Sequence, residues 1–215
     1  MRVSIKQQFY RHWYSRGLNE STDRNTGMGE TMTKAVFLDR DGVINEDAGY
    51  VCIPEKFHFT EGIFELCRTI QEMGYLLIVI TNQAGIARGY YAENDFHSLN
   101  EWMLSKFKKH GIDIAAVYYC PFHPEYGVGK YKQDSFDRKP NPGMIIKARE
   151  EFDIELSKSV LIGDKDSDIE TGRKAGIGTL IFLKGKYQFT PANDVSAYES
   201  LSDIDEYVRD SFCLM

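Results

Sequence analysis

The chain has 215 residues and a net charge of −6, with 42% hydrophobic and 27% charged residues, a composition typical of one globular domain with a sizeable core. This acidic balance argues against nucleic acid as a partner, and no apolar run reaches the length of about 18 residues that a membrane span needs. The sequence therefore predicts neither a nucleic-acid nor a membrane partner. The four cysteines are widely spaced and lack a Cys-x-x-Cys pair, so we expect reduced thiols in a cytoplasmic protein. We also expect a monomer.

The first 31 residues differ from the rest of the chain. Residues 4–18 mix aromatic and basic side chains, and residues 19–31 are polar, like a linker. This segment lacks the long apolar core and cleavage site of a secretory signal. We expect residues 1–31 to be a non-catalytic leader and residues 32–215 to form the functional domain.

From residue 34 onward, apolar runs alternate with amphipathic stretches, which is the pattern of βαβ units and a parallel sheet. Strands are predicted over 34–38, 75–81, 115–119, 159–163 and 178–183. Helices are predicted over 61–73, 93–110, 142–153 and about 166–175, the first two from apolar residues at helical spacing. The predicted fold class is α/β, with a Rossmann-like parallel sheet flanked by helices.

Two carboxylates follow the first of these strands. Asp39 and Asp41 stand two residues apart, before Gly42 and directly after the apolar run 35–38. At the carboxyl end of a parallel strand they would face the crevice where open α/β sheets bind ligands. Two acids there can hold a divalent cation, or one can attack phosphorus while the other transfers a proton. Asp-x-Asp-Gly is also common turn chemistry, so this pattern alone leaves both interpretations open.

Three more polar motifs follow in order. Thr81 ends the apolar run 75–80, a basic Arg138-Lys139 pair precedes a predicted helix, and an acidic loop starts at Asp164 after a third strand. The ordered set resembles the haloacid dehalogenase-type phosphohydrolases over about residues 34–185. Too few residues separate the motifs for a large cap domain, so the resemblance narrows to the capless branch. Substrate selection is then expected from loops 45–58, 84–92 and 120–138.

The resemblance implies catalytic roles for four residues. Asp39 would be the nucleophile that forms an aspartyl-phosphate, and Asp41 the general acid and base. The hydroxyl of Thr81 would bond a phosphate oxygen, and Lys139 would bind the phosphate and stabilise the charge of the transition state. A non-catalytic phosphate-binding module is the alternative from another class, and it would be expected to lack at least one of the key residues.

The resemblance also implies a magnesium site. Asp39, the backbone carbonyl of Asp41 and the carboxylate of Asp164 would bind Mg²⁺, since hard cations prefer oxygen ligands. Asp168 would bind the ion through water or orient its ligands. The spacing Asp164-x-Asp166-x-Asp168 also begins calcium loops, but the glycine and glutamate that an EF-hand requires further on are replaced by isoleucine and alanine.

Longer stretches around these motifs are similar to one capless subgroup, the heptose 1,7-bisphosphate phosphatases and the related histidinol-phosphate phosphatases. The similar stretches are 39–45, 47–50, 81–89, 120–124, 138–144 and 163–165. The resemblance implies substrate contacts from Asp47, Ala48, Gly49, Tyr50, Thr81, Asn82, Gln83, Ala84, Arg138, Lys139 and Lys165. It implies a small phosphorylated sugar as partner, with release of the C7 phosphate of a heptose bisphosphate during the synthesis of surface glycans. Histidinol phosphate or another small phosphomonoester is the alternative substrate.

The chain departs from this subgroup at one place. The subgroup usually binds a structural zinc with Cys-x-His after a strand and Cys-x-Cys before the Arg-Lys pair. Here Cys120 is in register, but Phe122, Ser135 and Asp137 stand at the other three positions. Because structural Zn²⁺ takes four nitrogen or sulfur ligands, the sequence predicts that zinc is absent. A rearranged site that uses His123 with Cys120 and Asp137 is the alternative.

Overall fold

The computed structural model describes residues 2–3, 33–188 and 192–212. Seven strands form one sheet, in the spatial order β1-β4-β3-β2-β5-β6-β7. Their bounds are β1 Arg2–Val3, β2 Ala35–Leu38, β3 Leu76–Asn82, β4 Ile114–Cys120, β5 Val160–Gly163, β6 Thr179–Leu183 and β7 Val195–Tyr198. All neighbouring strands are parallel except β1, which pairs antiparallel with β4. The predicted parallel sheet is confirmed.

The helices connect these strands. They are α1 Ile63–Glu72, α2 Ala84–Ala87, α3 Glu93–Lys109, α4 Gly143–Phe152, α5 Asp166–Ala175 and α6 Leu201–Phe212. The predicted strands and helices are confirmed, with small shifts at their ends. The short helix α2 lies inside a predicted loop, and β7 and α6 were not predicted. The β7 strand is half-buried along its length, so its sequence lacks the continuous apolar run that marked the other strands.

Helices cover both faces of the sheet. Successive side chains of β2 alternate between the faces, with Val36 and Leu38 on one and Ala35 and Phe37 on the other. All four are fully buried, as expected for a central parallel strand. Helices α1, α3 and α6 pack on the first face, and α4 and α5 pack on the second.

The topology creates a crevice at the carboxyl end of β2. From β2 the chain builds β3 and β4 on one side of it and β5, β6 and β7 on the other, so β2 lies at the switch point where α/β sheets bind ligands. The segments 39–62 and 121–142 are loops that each contain one short 3₁₀ helix. Within the part of the chain that the structure describes, the predicted absence of a large cap is therefore confirmed. No helix in this part has the length and apolar character needed to cross a membrane.

Most of the predicted leader lies outside the described residues. Arg2 and Val3 pair with Tyr118 and Val117, so this piece of the leader lies along the edge of β4. Residues 4–31 are not described, and the non-catalytic role of the leader stays a prediction. The predicted thiols are free at three positions, Cys52, Cys67 and Cys120, while the fourth cysteine falls among the undescribed residues.

Candidate active site

Three segments that are distant in the sequence meet in the crevice at the end of β2. Asp39 follows β2, Asp164 follows β5 with Asp168 in the first turn of α5, and Lys139 reaches in from the loop before α4. The Nζ atom of Lys139 lies 2.7 Å from Oδ1 of Asp39 and 2.7 Å from Oδ1 of Asp168. All four side chains belong to residues no more than 5% exposed. The structure thus brings together the predicted nucleophile, the predicted phosphate-binding lysine and the acidic loop.

The two carboxylate oxygens of Asp39 have different surroundings. Oδ1 accepts the backbone N–H of Arg40 at 2.7 Å and pairs with Lys139. Oδ2 accepts no hydrogen bond among the described residues, and the Lys165 ammonium lies 3.9 Å from it. Burial raises the pKa of Asp39 in spite of the opposing Lys139 ammonium. Oδ2 is therefore the oxygen available to a substrate or an ion.

The side chain of Asp41 is held on three sides. Nη2 of Arg40 lies 2.8 Å from its Oδ1 and 2.9 Å from its Oδ2, Asn45 donates to Oδ1 at 3.1 Å, and Gln83 donates to Oδ2 at 3.1 Å. The Arg40 guanidinium is itself 1% exposed and donates to the carbonyl of Val51 at 3.0 Å. These contacts set the direction of the Asp41 carboxylate. Sequence reasoning missed Arg40 and Asn45, although both stand within the Asp39 motif.

Gln83 links Asp41 to Thr81. Its amide nitrogen also donates to the Thr81 hydroxyl at 2.8 Å, and its amide oxygen accepts from the Tyr91 hydroxyl at 2.6 Å. Because the Thr81 oxygen accepts from Gln83, its own hydrogen remains to be donated. A hydroxyl so arranged can bond a phosphate oxygen. Tyr91 was missed because nothing in its local sequence separates it from a core aromatic residue.

Lys139 is held by Asn82 as well as by its charge partners. The Asn82 side chain donates to the Lys139 carbonyl at 3.0 Å and accepts the Lys139 backbone N–H at 3.1 Å. Burial works against a charged ammonium, but Asp168 and Asp39 outweigh it and raise the pKa of Lys139. The lysine is therefore a fixed positive charge, and the Asn82 amide, predicted to contact substrate, positions it.

The acidic cluster has the oxygen atoms and the charge that a divalent cation needs. Asp39, Asp164 and Asp168 each offer a carboxylate oxygen, and these atoms lie within 4.8 Å of one another. Burial and the neighbouring Asp39 raise the pKa of Asp164 to about 8. The Lys165 ammonium stands 3.0 Å from the Asp41 carbonyl oxygen, 3.2 Å from Oδ1 of Asp164 and 3.9 Å from Oδ2 of Asp39. The Lys165 ammonium therefore lies among the oxygens that were predicted to bind Mg²⁺. Because these oxygens already face a positive charge, they fit a cation.

Glycine is required where the Asp39 loop approaches this cluster. Gly42 has a φ of +111°, and a Cβ atom there would lie 1.9 Å from Oδ2 of Asp164. Any side chain would therefore displace the carboxylate, and the backbone conformation itself favours glycine. The close approach brings the Asp41 carbonyl and Asp164 to the same position.

Asp168 connects the cluster to helix α5. Its Oδ2 accepts the backbone N–H of Lys165 at 3.1 Å, which satisfies a free donor at the start of the helix. Its Oδ1 faces Lys139. Asp166, in the same acidic loop, is exposed.

Asp47 forms a second polar centre at the rim. Its Oδ1 accepts the N–H of Gly49 at 3.0 Å, and its Oδ2 accepts the Tyr187 hydroxyl at 2.8 Å and lies 3.3 Å from Nζ of Lys165. Burial alone would raise the pKa of Asp47, but the Tyr187 hydrogen bond and the Lys165 charge lower it. Lys186 donates to the Asp47 carbonyl at 3.2 Å. Tyr187 and Lys186 were missed because their local sequence carries no motif.

The other predicted substrate residues lie farther from the acids. Tyr50 is 48% exposed, and its ring meets that of Tyr90 edge to face at 4.7 Å. Ala48 and Gly49 are exposed, and Ala84 begins α2. Arg138 is half-buried and donates to the Phe122 carbonyl at 3.1 Å. Their contact with substrate stays a prediction.

Protein contacts hold the loop at which the sequence predicts that zinc is absent. Nδ1 of His123 accepts two backbone N–H groups, from residues 125 and 126, at 3.2 Å each. Asp137 pairs with Lys147, and its N–H donates to the Ser135 hydroxyl at 3.2 Å. Across the described ranges, Cys120, His123 and Asp137 do not form a group suited to a metal. The absence of zinc stays a prediction.

We expect the purified protein to contain no stoichiometric zinc, and Cys120→Ser to cost about 1 kcal/mol or less of unfolding free energy, as a small change in a packed side chain does. Elemental analysis and urea unfolding measure the two quantities. Cys67→Ser is the matched control, because Cys67 is also fully buried and has no proposed metal role. About one zinc per chain, lost together with stability in Cys120→Ser alone, would show that the site has been rebuilt.

The site combines two aspartates at the switch point of a parallel sheet with a buried lysine and an acidic loop. This combination defines a phosphohydrolase of the haloacid dehalogenase-like class. The HAD-hydrolase-like family model matches residues 136–207. D-glycero-alpha-D-manno-heptose-1,7-bisphosphate 7-phosphatase of Burkholderia mallei is 56% identical over 150 residues, which cover 70% of this chain and 79% of that protein. D-glycero-beta-D-manno-heptose-1,7-bisphosphate 7-phosphatase of Vibrio cholerae is 44% identical over 177 residues, which cover 81% of this chain and 95% of that protein. The chain belongs to this family of heptose bisphosphate phosphatases.

Solved structures share the fold. A putative HAD-like phosphatase from Mesorhizobium loti superposes with a TM-score of 0.75 at 29% identity, covering 86% of this chain and 90% of that chain. The D,D-heptose 1,7-bisphosphate phosphatase from B. bronchiseptica, complexed with magnesium and phosphate, superposes with a TM-score of 0.74 at 23% identity, covering 83% and 99%. Both superpositions support the α/β fold.

Proposed function

We propose that this protein is a Mg²⁺-dependent phosphomonoesterase that removes the C7 phosphate of D-glycero-D-manno-heptose 1,7-bisphosphate in activated-heptose synthesis for lipopolysaccharide or other surface glycans. We propose further that it acts as a cytoplasmic monomer. The observation that carries the reaction is the buried contact of 2.7 Å between Lys139 and Asp39, beside a held Asp41. The family membership supports the substrate, since relatives with up to 56% identity carry its name.

In the first step, Oδ2 of Asp39 attacks phosphorus, and the bond between phosphorus and the sugar oxygen breaks. This oxygen of Asp39 is free of hydrogen bonds, whereas Oδ1 is anchored by Lys139 and the Arg40 N–H. Asp41 donates a proton to the departing sugar oxygen, so the leaving group departs as an alcohol. The products of this step are the aspartyl-phosphate and the heptose 1-phosphate.

In the second step, the deprotonated Asp41 takes a proton from water, and the water oxygen attacks the aspartyl-phosphate. Phosphate leaves and the Asp39 carboxylate is restored. The Thr81 hydroxyl and the Lys139 ammonium bond the phosphoryl oxygens in both steps, and they stabilise the charge that develops there. Gln83, which donates hydrogen bonds to Thr81 and Asp41, keeps these two side chains at a fixed distance from each other in both steps.

Mg²⁺ would be held by oxygens of Asp39, Asp164 and the Asp41 carbonyl. Asp168 would orient Lys139. The bound ion would shield the carboxylates from the phosphate dianion. Lys165, which faces the same oxygens in this structure, would then contact the substrate together with Asp47.

The substrate assignment is tested with a panel of phosphomonoesters. The panel contains both anomers of the heptose bisphosphate, histidinol phosphate and fructose 1,6-bisphosphate. We expect kcat/KM for the better heptose anomer to exceed that for the other two compounds by at least about tenfold. Both anomers are needed because the two relatives described above are named for different ones. A higher kcat/KM for histidinol phosphate would establish the alternative substrate instead.

A further inference from the structure

Tyr91 is a buried tyrosine that lies one hydrogen bond away from the catalytic side chains. It stands between α2 and α3 and is 8% exposed. Its hydroxyl donates to Oε1 of Gln83 at 2.6 Å. Burial raises the pKa of Tyr91, so the hydroxyl keeps the proton that it donates.

The side-chain amide of Gln83 uses all of its polar atoms. Its nitrogen donates to Oδ2 of Asp41 at 3.1 Å and to the Thr81 hydroxyl at 2.8 Å, which accounts for both amide hydrogens. Gln83 is 1% exposed, and its backbone N–H donates to the Cys120 carbonyl at 2.8 Å. Since a buried amide oxygen needs a donor, this oxygen depends on the Tyr91 hydroxyl within the part of the chain that the structure describes.

The orientation of this amide decides what it offers to the catalytic groups. A primary amide can turn by half a rotation, which exchanges its oxygen and its nitrogen. The oxygen would then face the Asp41 carboxylate, so that two acceptors meet where a hydrogen bond now stands. The Thr81 hydroxyl would donate to that oxygen and would lose the hydrogen that it can offer to phosphate. The Tyr91 hydroxyl stabilises the orientation that serves both groups.

A close approach between Gly85 and the tyrosine ring places this hydroxyl. Gly85 is buried in α2, and its carbonyl accepts the backbone N–H of Tyr90 at 2.9 Å. A Cβ atom at Gly85 would lie 2.2 Å from Cε1 of Tyr91 and 2.8 Å from the hydroxyl oxygen. The ring can therefore lie against the helix backbone only because residue 85 has no side chain.

We infer that Tyr91 is a positioning residue of the phosphatase reaction, whose hydroxyl fixes the Gln83 amide in the orientation that donates to both Asp41 and Thr81. This inference rests on the proposed function, in which Asp41 transfers the proton and Thr81 bonds the phosphoryl group. Both groups act on the transition state, so loss of the Tyr91 hydroxyl lowers kcat more than it weakens substrate binding.

Tyr91→Phe removes the hydroxyl and keeps the ring. With heptose 1,7-bisphosphate we expect kcat to fall about 3- to 30-fold, which is the range for one lost hydrogen bond that leaves a buried acceptor unpaired. We expect KM to change by less than about twofold, as for an interaction made in the transition state. Circular dichroism verifies that each variant is folded.

Tyr118→Phe is the matched control. Tyr118 is 2% exposed, and its hydroxyl also donates at 2.6 Å, to Oε2 of Glu151 on α4. This substitution removes a tyrosine hydrogen bond of the same length outside the candidate active site. Its kcat should equal that of the wild type.

Gln83→Met tests whether Tyr91 acts through Gln83. Methionine has a similar length and lacks the amide, so this variant should lower kcat at least as much as Tyr91→Phe does. When Tyr91→Phe is added to Gln83→Met, we expect a further loss of less than about twofold, because the effects of residues in one hydrogen-bond network are not additive.

The outcomes of these experiments separate the inference from the proposed function. An unchanged kcat in Tyr91→Phe, a rise in KM alone, or losses that multiply in the double variant would overturn the role of Tyr91. Wild-type kcat in Gln83→Met would overturn it as well. A wild-type protein that releases no phosphate from the bisphosphate would overturn the proposed function, and this inference with it.

Discussion

Asp39→Asn should abolish turnover while the protein remains folded. An amide oxygen cannot form the aspartyl-phosphate, and losses of a covalent nucleophile lower kcat by about 10⁴-fold or more. The fold should survive, because asparagine has the same shape and its oxygen can still accept from Lys139 and from the Arg40 N–H. Phosphate release measures the rate, and acid quenching of radiolabelled substrate measures the covalent intermediate.

The rate of Asp39→Asn is to be compared with the rates of two other aspartate variants. Asp41→Asn should lower kcat by about 10²- to 10⁴-fold, since general acid and base catalysis contributes that much. Asp166→Asn is the matched control, because Asp166 is exposed in the same acidic loop, and its rate should stay near that of the wild type. Near-normal turnover by purified Asp39→Asn would remove the covalent mechanism.

Removal of divalent cations should also lower the rate of catalysis severely. Without a cation, the buried carboxyl groups of the cluster lie against the phosphate dianion, and only the Lys139 and Lys165 ammoniums offset their charge. We expect EDTA to lower the rate by about 10³-fold or more and Mg²⁺ to restore it, since metal ions supply several kcal/mol of charge stabilisation. Phosphate release after chelation and after readdition is the measurement.

Binding of the ion can be followed independently of the rate. Mg²⁺ should raise the Tm of the wild type, because a ligand that binds only the folded state stabilises it. Asp164→Asn should lose most of this shift, and Asp166→Asn should keep it. Undiminished turnover after exhaustive chelation would instead indicate a metal-independent phosphatase, and an equal shift in Asp164→Asn would place the ion elsewhere.

The sheet and the catalytic motifs were predictable because they depend on local pattern. Runs such as Ala35–Leu38 and Val160–Gly163 are apolar throughout, as strands covered on both faces must be. Each is followed by polar residues, and parallel strands place their carboxyl ends at one edge. Helices α1 and α3 were predictable from their apolar stripes. By contrast, β7 lacks a continuous apolar run and pairs with β6. Helix α6 was missed although Leu201, Ile204 and Val208 recur at helical spacing and are buried in the same cluster as α1.

The amino-acid pattern therefore determined which residues meet, but not which atoms face each other. That Asp39, Lys139 and Asp164 share one edge follows from strand order and the position of each motif. The pairing of Tyr187 with Asp47, 140 positions apart, depended on how β6 packs in the sheet. The same is true of Gln83 between Thr81 and Asp41. Hydrogen bonds and ion pairs depend on distances of a few tenths of an ångström, and the packing of the whole domain sets those distances.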